Sequence, residues 1–295
     1  MPQVWMKVAP RLWTARSGEF VVHSGVIIDS GEACLVDPGL LPQEIDAILR
    51  RVTDCGAALR TIILTHCHWD HVLGPESLPK TQIVAHAEYA TQSTGRQGRR
   101  VVRQVEMWEA DLGKKREQPF SLPCADRTFT EQLTLFVGET PWQLIHAPGH
   151  APDHLVAYEP KSGTLWAADM LSESEIPYVC HSLVAYRETL DRLFALETRF
   201  LVPAHGSETS DARTIRARFD HDTAYLGELY DRVEYAIREG RTLDETVLSC
   251  DEMLRSLPGE NERPHRMNVE SAFIELGGES VTANCGWRGL VDDVD

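Results

Sequence analysis

The sequence predicts an α/β fold in which a β-rich body is followed by a helical C-terminal section. Up to about residue 210, short β-type runs alternate with turn residues and with stretches of helical spacing. Beyond that point the β-type runs stop and amphipathic helical patterns take over. Histidine or aspartate also follows directly on several of the apolar runs. We therefore predict two regions, a domain over residues 1–210 and a helical extension over residues 211–295.

The amino-acid composition is that of an ordinary globular protein, and it limits the classes of partner. The 295 residues are 42% hydrophobic and 25% charged, with a formal net charge of −16. Because this charge repels phosphate backbones, we expect no nucleic-acid partner. We expect a small-molecule substrate instead. We also expect no membrane partner and no signal peptide, because the chain contains neither a long apolar window nor a basic start followed by an apolar run.

Cysteine usage gives an expectation about the cellular compartment. The seven cysteines are odd in number, widely scattered and without a CxxC pair. This pattern favours reduced thiols in a cytoplasmic protein. The sequence does not fix the oligomeric state, and a homodimer is kept as an alternative.

The first elements of the body can be placed from turn residues and apolar spacing. Residues 20–39 predict two strands around a Ser-Gly turn, ending at Asp37-Pro38-Gly39. Residues 42–55 have the apolar spacing of a helix. The apolar run Ile62-Ile63-Leu64 predicts the next strand, and residues 81–87 another. Further strand candidates are "LTLFVG", "WQLIHAPGH", "TLWAAD" and "RFLVPAHG".

An arginine-rich stretch interrupts this series of strands. From Arg96 to Arg116 the chain has seven basic and three acidic side chains, so this segment is locally positive in a negative protein. A solvated helix face is one interpretation. The other is a lid over the functional site, formed by residues 95–116, which attracts an anionic substrate and contributes apolar contact through Met107 and Trp108.

The C-terminal section contains three helical patterns. The first covers residues 211–240 and closes on a glycine. The second covers residues 242–254 and opens with a capping box, in which Glu245 follows Thr242 at three residues. The third covers residues 268–278.

A dense group of ligand-type side chains follows the strand at residues 62–64. In "TIILTHCHWDHVLG", His66 and His68 are alternate residues, and in extended backbone such side chains point the same way. Asp70 and His71 come next, where the chain turns away. Imidazole nitrogen and carboxylate oxygen are good ligands for zinc, so this loop predicts a metal site.

Other predicted strands end in further candidate ligands. "LIHAPGHAPDH" supplies His146, His150 and His154, "LWAADM" supplies Asp169, and "LVPAHG" supplies His205. Four separate strand ends therefore each deliver a candidate ligand. This is the pattern expected for a metal site assembled at the edge of a β-sheet.

These motifs together resemble the metallo-β-lactamase superfamily. "THCHWDH" matches its HxHxDH signature, and "APGH", "AAD" and "PAHG" match its later ligand motifs in the same order, with Asp37 of "VDPG" fitting a motif near the N-terminus. The resemblance covers residues 10–210 and implies a four-layered αβ/βα sandwich, the catalytic domain, with two metals between its sheets. It assigns ligands to a first metal (His66, His68, His150), to a second metal (Asp70, His71, His205) and to both (Asp169).

The resemblance also implies a mechanism. Two zinc ions, or iron or manganese, which accept the same ligands, would lower the pKa of a bridging water and supply hydroxide near neutral pH. Asp70 would orient this nucleophile and carry its proton, so Asp70 is the predicted catalytic residue. The predicted reaction is hydrolysis of a small ester, lactone, thioester or amide-like bond. His146 and His154 are expected to support the ligands or the fold, Cys67 to be an inert buried thiol, and Tyr178 to be either an oxyanion donor or a packed aromatic residue.

Alternative chemistries of the superfamily leave different marks in the sequence. Flavin-linked di-iron oxidoreductases have the motif HxExDH, and histidine at residue 68 argues against that class. The chain also lacks the large insertion between Asp169 and His205 that is typical of RNA-processing nucleases. "THCH" is similar to persulfide dioxygenases, which use one iron. Those proteins and the thioester-cleaving glyoxalases have a Gly-Arg motif where this chain has "MLSESEIPYV". A mononuclear-iron dioxygenase is kept as the alternative, and a metal-free, non-enzymatic member is a third hypothesis.

Overall fold

The computed structural model describes residues 4–78, 80–113, 118–256 and 261–279. Cys285 and residues 114–116 of the predicted lid lie outside these described residues. The strands are β1 (Val4–Ala9), β2 (Leu12–Arg16), β3 (His23–Asp29), β4 (Glu32–Val36), β5 (Ala58–Ile63), β6 (Gln82–His86), β7 (Arg127–Phe129), β8 (Gln132–Val137), β9 (Thr140–His146), β10 (Leu155–Glu159), β11 (Thr164–Ala168) and β12 (Phe200–Pro203). The α-helices are α1 (Pro42–Asp54), α2 (Tyr89–Gln92), α3 (Gly95–Asp111), α4 (Leu183–Phe194), α5 (Ala212–Arg238), α6 (Leu243–Cys250) and α7 (Glu262–Glu275).

The strands form two sheets. The first sheet has seven strands in the order β1-β2-β3-β4-β5-β6-β7, and the second has five in the order β12-β11-β10-β9-β8. In the first sheet, β1 to β4 are antiparallel, whereas β4 to β7 run parallel. In the second sheet only the β11–β12 pair is parallel. Three of the parallel strands, β5, β11 and β12, are followed by loops that carry predicted ligands.

Three hydrophobic cores separate four layers. One core packs α1 and α3 on the outer face of the first sheet, through residues such as Ile48, Val101 and Ile62. A second core lies between the two sheets. The third packs α4 to α7 on the outer face of the second sheet, through residues such as Leu165 and Leu226. The structure therefore confirms the predicted four-layered αβ/βα sandwich with a helical C-terminal part.

Strand alternation explains how each sheet serves two cores. In β11, Leu165 contributes to the outer core while its neighbour Trp166 contributes to the core between the sheets, because successive strand residues point to opposite faces. Trp166 fills this space closely. A Cβ added to Gly25 of β3 would lie 2.9 Å from the Trp166 ring, so glycine at residue 25 allows the two sheets to approach at this point.

Local sequence signals account for most helix starts. Pro42 stands at the first turn of α1, and Asp211 caps α5 by accepting a hydrogen bond from the Thr214 amide. Thr242 and Glu245 form the predicted capping box of α6. The start of α7 was predicted too late, because the helix already begins at Glu262.

Some elements were not predicted from the sequence. Strands β1 and β2 and helix α4 are the main examples. The α4 helix begins at the hydroxyl of Ser182, which accepts a hydrogen bond from the Ala185 amide. A single capping serine at the end of a polar segment is too weak a sequence pattern to predict the start of a helix.

Two further observations concern the whole described chain. Among the described residues, no helix combines the length and the apolar character needed to cross a bilayer. The six described cysteines form no disulfide, and Cys34, Cys67 and Cys250 are buried.

We predict that Trp166→Ala destabilises the protein by about 3–5 kcal/mol, because it leaves a large cavity between the sheets. Urea unfolding would measure this change. Phe136→Ala is the matched control, since the Phe136 side chain is 60% exposed. Equal losses of stability in the two variants would contradict the importance of the Trp166 contact.

Candidate metal centre

The candidate site lies where strands of both sheets end. The loop after β5 carries His66, His68, Asp70 and His71, and the loop after β9 carries His150. Two further candidate ligands are Asp169, the first residue after β11, and His205, the second residue after β12. The two sheets therefore bring together residues that are up to 139 positions apart, as His66 and His205 are.

The seven predicted ligands fall into two groups in space. Within each group, the potential ligand atoms all lie within 4.8 Å of one another. The groups are His66, His68, His150 and Asp169 on one side, and Asp70, His71 and His205 on the other. This is the division that the family resemblance implies for a first and a second metal.

Asp169 lies between the two groups. Its Oδ2 atom is 3.2 Å from Nε2 of His150 and 3.5 Å from Nε2 of His66. Its Oδ1 atom is 3.1 Å from Nε2 of His71 and 3.5 Å from Nε2 of His205. One carboxylate thus presents one oxygen to each group, which is the geometry that a bridging ligand requires.

In two of the candidate ligands, His150 and His205, the Nδ1 atom contacts a backbone carbonyl. Nδ1 of His150 lies 3.0 Å from the Tyr178 carbonyl, and Nδ1 of His205 lies 2.7 Å from the Val21 carbonyl. A carbonyl oxygen can only accept, so Nδ1 carries the hydrogen in both rings. Nε2 is therefore the nitrogen that each ring directs to the centre of the site, where a metal can bind it once it carries no proton.

Asp37 holds the loop that carries the first ligands. Its carboxylate accepts hydrogen bonds from the Thr65 amide at 2.8 Å and the Thr65 hydroxyl at 2.6 Å, and it lies 2.9 Å from Nδ1 of His71. Asp37 itself has a φ of 46°, which is unusual for a residue other than glycine. The "VDPG" motif therefore orients His71, although Asp37 belongs to neither ligand group.

Unsatisfied buried atoms test whether the site suits a cation. His66 Nε2, His71 Nε2 and Asp169 Oδ1 are buried and have no hydrogen bond of good geometry, although His71 Nε2 and Asp169 Oδ1 lie 3.1 Å apart. Buried polar atoms normally have a partner, and these three all point into the ligand groups. A pair of divalent cations would satisfy them, and imidazole with carboxylate is a suitable donor set. The residues therefore fit divalent metal cofactors.

Electrostatics separate the two groups of histidines. Burial, together with His71, places the pKa of His66 well below its usual range, and burial with His150 lowers that of His68 to about 3. Burial also lowers the pKa of His71 and His205, but the Asp169 and Asp70 carboxylates outweigh it and raise both pKa values well above the usual range.

Both central carboxyl groups remain ionised. Burial raises the pKa of Asp169 and of Asp70, but the neighbouring histidines, His71 first, outweigh this effect. As a result the pKa of Asp70 is lowered, and the pKa of Asp169 lies well below its usual range. The two carboxylates therefore favour positive charge at the centre, which protons on His71 and His205 or bound cations can supply.

The remaining sequence candidates have supporting positions. His154 is fully buried, and its Nε2 accepts a hydrogen bond from the Asp169 amide at 3.3 Å. His146 stacks on His86 with ring centroids 3.7 Å apart and belongs to neither ligand group. The Cys67 thiol is buried, and burial raises its pKa, so it has the character of an inert thiol. Tyr178 lines the cleft and packs against the outer core of the second sheet.

Several residues around the site were missed from the sequence. Asp153 is 1% exposed and accepts a hydrogen bond from the Cys67 amide at 2.9 Å, which ties the loop after β9 to the loop after β5. Asp222 on α5 accepts from the Leu171 amide, two residues after Asp169. In the sequence, only its position beside His154 could have pointed to Asp153. Nothing pointed to Asp222, because its hydrogen-bond partner Leu171 is 51 residues away.

A cleft of about 730 Å³ opens onto the ligands. Aromatic residues line part of it, with Phe20 and Trp69 in contact at a centroid distance of 5.3 Å. Helix α3 contributes Gln97, Arg100 and Gln104. The spacing of these three residues places them on one helix face. The cleft thus combines an aromatic surface, a polar helix face and the ligand groups.

Comparison with known proteins gives a family match. The family model described as the metallo-beta-lactamase superfamily matches residues 17–205. A linear primary-alkylsulfatase of Pseudomonas sp. (strain ATCC 19151) is 23% identical over 255 residues, covering 75% of this chain and 47% of that protein. A hydroxyacylglutathione hydrolase of Thermosynechococcus vestitus is 29% identical over 152 residues, covering 52% of this chain and 48% of that protein. The chain thus spans about half the length of these curated relatives.

A solved structure shows the same fold over nearly the whole chain. The stereoselective inverting sec-alkylsulfatase Pisa1 from Pseudomonas sp. aligns with a TM-score of 0.72 at 15% identity. The alignment covers 94% of this chain and 51% of that one. At this identity the likeness concerns the fold alone.

We predict that the two cations bind with different pH dependence. His71 and His205 have raised pKa values, so a cation at the second group must displace protons that they hold. Its affinity should fall by about tenfold per pH unit for each displaced proton as the pH drops below those pKa values. His66 and His68 have lowered pKa values, so the first cation should respond less. Chelator competition with Zn²⁺ between about pH 8 and pH 6 would measure both affinities, and identical slopes would contradict the assignment.

Proposed function

The chain belongs to the metallo-beta-lactamase superfamily, and on that premise we propose that it is a hydrolase that uses two zinc ions to cleave a small ester, lactone, thioester or amide-like bond. One observation carries this proposal: the two oxygens of Asp169 face two separate groups of ligand atoms. A site for a single ion would not need the second group. The ligand roles of the seven residues are part of the proposal.

The protein's own residues would support hydrolysis in three ways. When bound, two divalent cations supply Lewis acidity and lower the pKa of water towards neutrality. Asp70 is ionised, buried and 3.3 Å from Nε2 of His205, so it can orient a water molecule and accept its proton. The walls of the cleft hold the substrate, and the hydrogen bonds of His150 and His205 to backbone carbonyls keep their rings in place.

We propose that the catalytic domain covers residues 1–210 and that residues 211–295 form an extension, whose described helices α5, α6 and α7 pack on it. Helices α5 and α7 contact each other and α4, on the outer face of the second sheet. Contacts from α5 and α7 also reach the connection between β11 and α4, which lines the cleft. The extension would therefore shape the substrate site.

A second substrate class is supported by the comparisons. One curated relative is an alkylsulfatase, which makes a sulfate ester a candidate substrate beside carboxylic esters. The aromatic pair Phe20 and Trp69 would suit an apolar substituent next to the reacting bond. The different-class alternative, a mononuclear-iron persulfide dioxygenase, is distinguished by one iron per chain and by oxygen consumption.

We predict that Asp70→Ala lowers kcat by about 10²–10⁴-fold, because it removes the residue that accepts a proton and belongs to the second group of ligands. The measurement is turnover of a panel of lactones, thioesters, carboxylic esters and sulfate esters, together with metal content. The unaltered protein should contain about two zinc ions per chain.

The exposed Asp46 on α1 provides the matched control, Asp46→Ala, which should leave turnover and metal content unchanged. Activity of Asp70→Ala within threefold of the unaltered protein, at equal folded content, would contradict the role of Asp70. A panel without any turnover, or a single iron per chain, would contradict the hydrolase.

We also predict that Arg100 selects substrates with an anionic group. Arg100 lines the cleft, so its guanidinium can donate a hydrogen bond to a substrate carboxylate. Such a charged hydrogen bond contributes about 1.5–3 kcal/mol. Arg100→Gln should therefore raise KM by about 10–100-fold for a carboxylate-bearing substrate and leave a neutral analogue unaffected. Arg103→Gln is the control, because Arg103 is exposed and lies outside the cleft lining. Equal changes in KM for charged and neutral substrates would favour a solvated helix face over a lid.

A further inference from the structure

The orientation of His150 depends on one backbone carbonyl. Its Nε2 lies 3.2 Å from Asp169 Oδ2 and 3.0 Å from His68 Nδ1, inside the first ligand group. On the other side of the ring, Nδ1 donates to the carbonyl of Tyr178 at 3.0 Å. If that carbonyl moves or turns, the imidazole loses the acceptor that fixes both its tautomer and its direction.

Tyr178 lies in a segment without regular secondary structure. This segment covers residues 169–182 and connects β11 to α4. No strand or helix hydrogen bonds fix the direction of its peptide groups, so other contacts must do so.

Asn268 of α7 supplies these contacts. Its Oδ1 accepts a hydrogen bond from the Val179 amide at 2.8 Å, and its Nδ2 donates to the Pro177 carbonyl at 2.7 Å. Pro177 and Val179 are the two neighbours of Tyr178 in the chain. One fully buried side-chain amide therefore holds the backbone on both sides of the carbonyl that His150 uses.

A chain of buried groups fixes the orientation of the Asn268 amide. His265 Nε2 lies 3.1 Å from the Cys250 carbonyl and must donate to it, so Nδ1 of His265 is the acceptor. The Tyr225 hydroxyl, 3.0 Å from that Nδ1, donates to it and accepts from Asn268 Nδ2 at 2.9 Å. Every donor in this series of hydrogen bonds faces an acceptor. If the Asn268 amide were turned over, its Nδ2 would face the Val179 amide, and two donors would oppose each other.

We propose that Asn268 is a positioning residue for the first metal, because it fixes the Tyr178 carbonyl and through it the ring of His150. Helices α5, α6 and α7 then take part in metal binding although none of them supplies a ligand. This inference rests on the proposed function only in taking the ligand groups as a metal site. It does not depend on the substrate.

The central test is Asn268→Ala, with cation affinity as the readout instead of turnover. Loss of the support behind a metal-binding histidine lowers affinity by about 10–100-fold. We expect that loss for the cation of the first group, which contains His150, and a change of less than about threefold for the cation of the second group. Titration with Zn²⁺ or Co²⁺ against a competing chelator would resolve the two affinities.

Two further variants separate positioning from a general loss of stability. Thr246→Val removes a fully buried hydroxyl whose hydrogen bond, to the Thr242 carbonyl, lies within the same helical section and has no link to His150. It should lower stability to urea and leave both affinities unchanged. Tyr225→Phe leaves the side chain of Asn268 present but removes its hydroxyl partner, so it should weaken the same cation as Asn268→Ala, by a smaller factor.

The outcomes decide the inference clearly. If both cations keep their affinity in Asn268→Ala, the residue is only structural and the inference is wrong. If Asn268→Ala does not fold, Tyr225→Phe decides by the same measurement. If the unaltered protein binds no cation, both the proposed function and this inference fail. A lack of turnover with every substrate, at normal cation affinity, contradicts only the proposed function.

Discussion

The site depends on the burial of the Asp169 carboxylate among histidines. An ionised carboxylate in a protein interior is unfavourable unless positive charge or hydrogen-bond donors surround it. Nε2 atoms of four histidines approach its two oxygens within 3.5 Å. Protons on His71 and His205 supply part of the compensation, and the chemistry of the whole donor set suits cations instead. The remaining features of the site keep these groups at these distances.

The layered fold provides this arrangement because strands of two facing sheets end close together. Each strand end can present a side chain without disturbing the hydrogen bonds of its sheet. Ala168, the last residue of β11, has a φ of 48°, and Asp37, just after β4, has a φ of 46°. Such backbone strain is tolerated where the surrounding structure fixes the chain. Both strained residues lie at or next to residues of the site.

The helical section serves two purposes in the structure. Its apolar residues cover the outer face of the second sheet, which would otherwise expose residues such as Leu165 and Leu201. Its polar residues reach the loops that carry candidate ligands: Arg218 donates to the carbonyls of Leu171 and Ser207, two residues after Asp169 and His205 respectively. A deletion of this section would therefore remove both the apolar cover and these loop contacts.

The sequence by itself determined the fold class and, through the resemblance of strand-end motifs such as "THCHWDH", the family, because such motifs are local; the division of the candidate ligands between two metals stays a proposal. The capping box at Thr242 was equally local and was predicted correctly. Only the tertiary structure revealed Asp153, Asp222 and Asn268. Their hydrogen-bond partners are 86, 51 and 89 residues away, and no periodicity connects such pairs. Ligands follow from short motifs, whereas the groups that hold them in place follow from packing between distant segments.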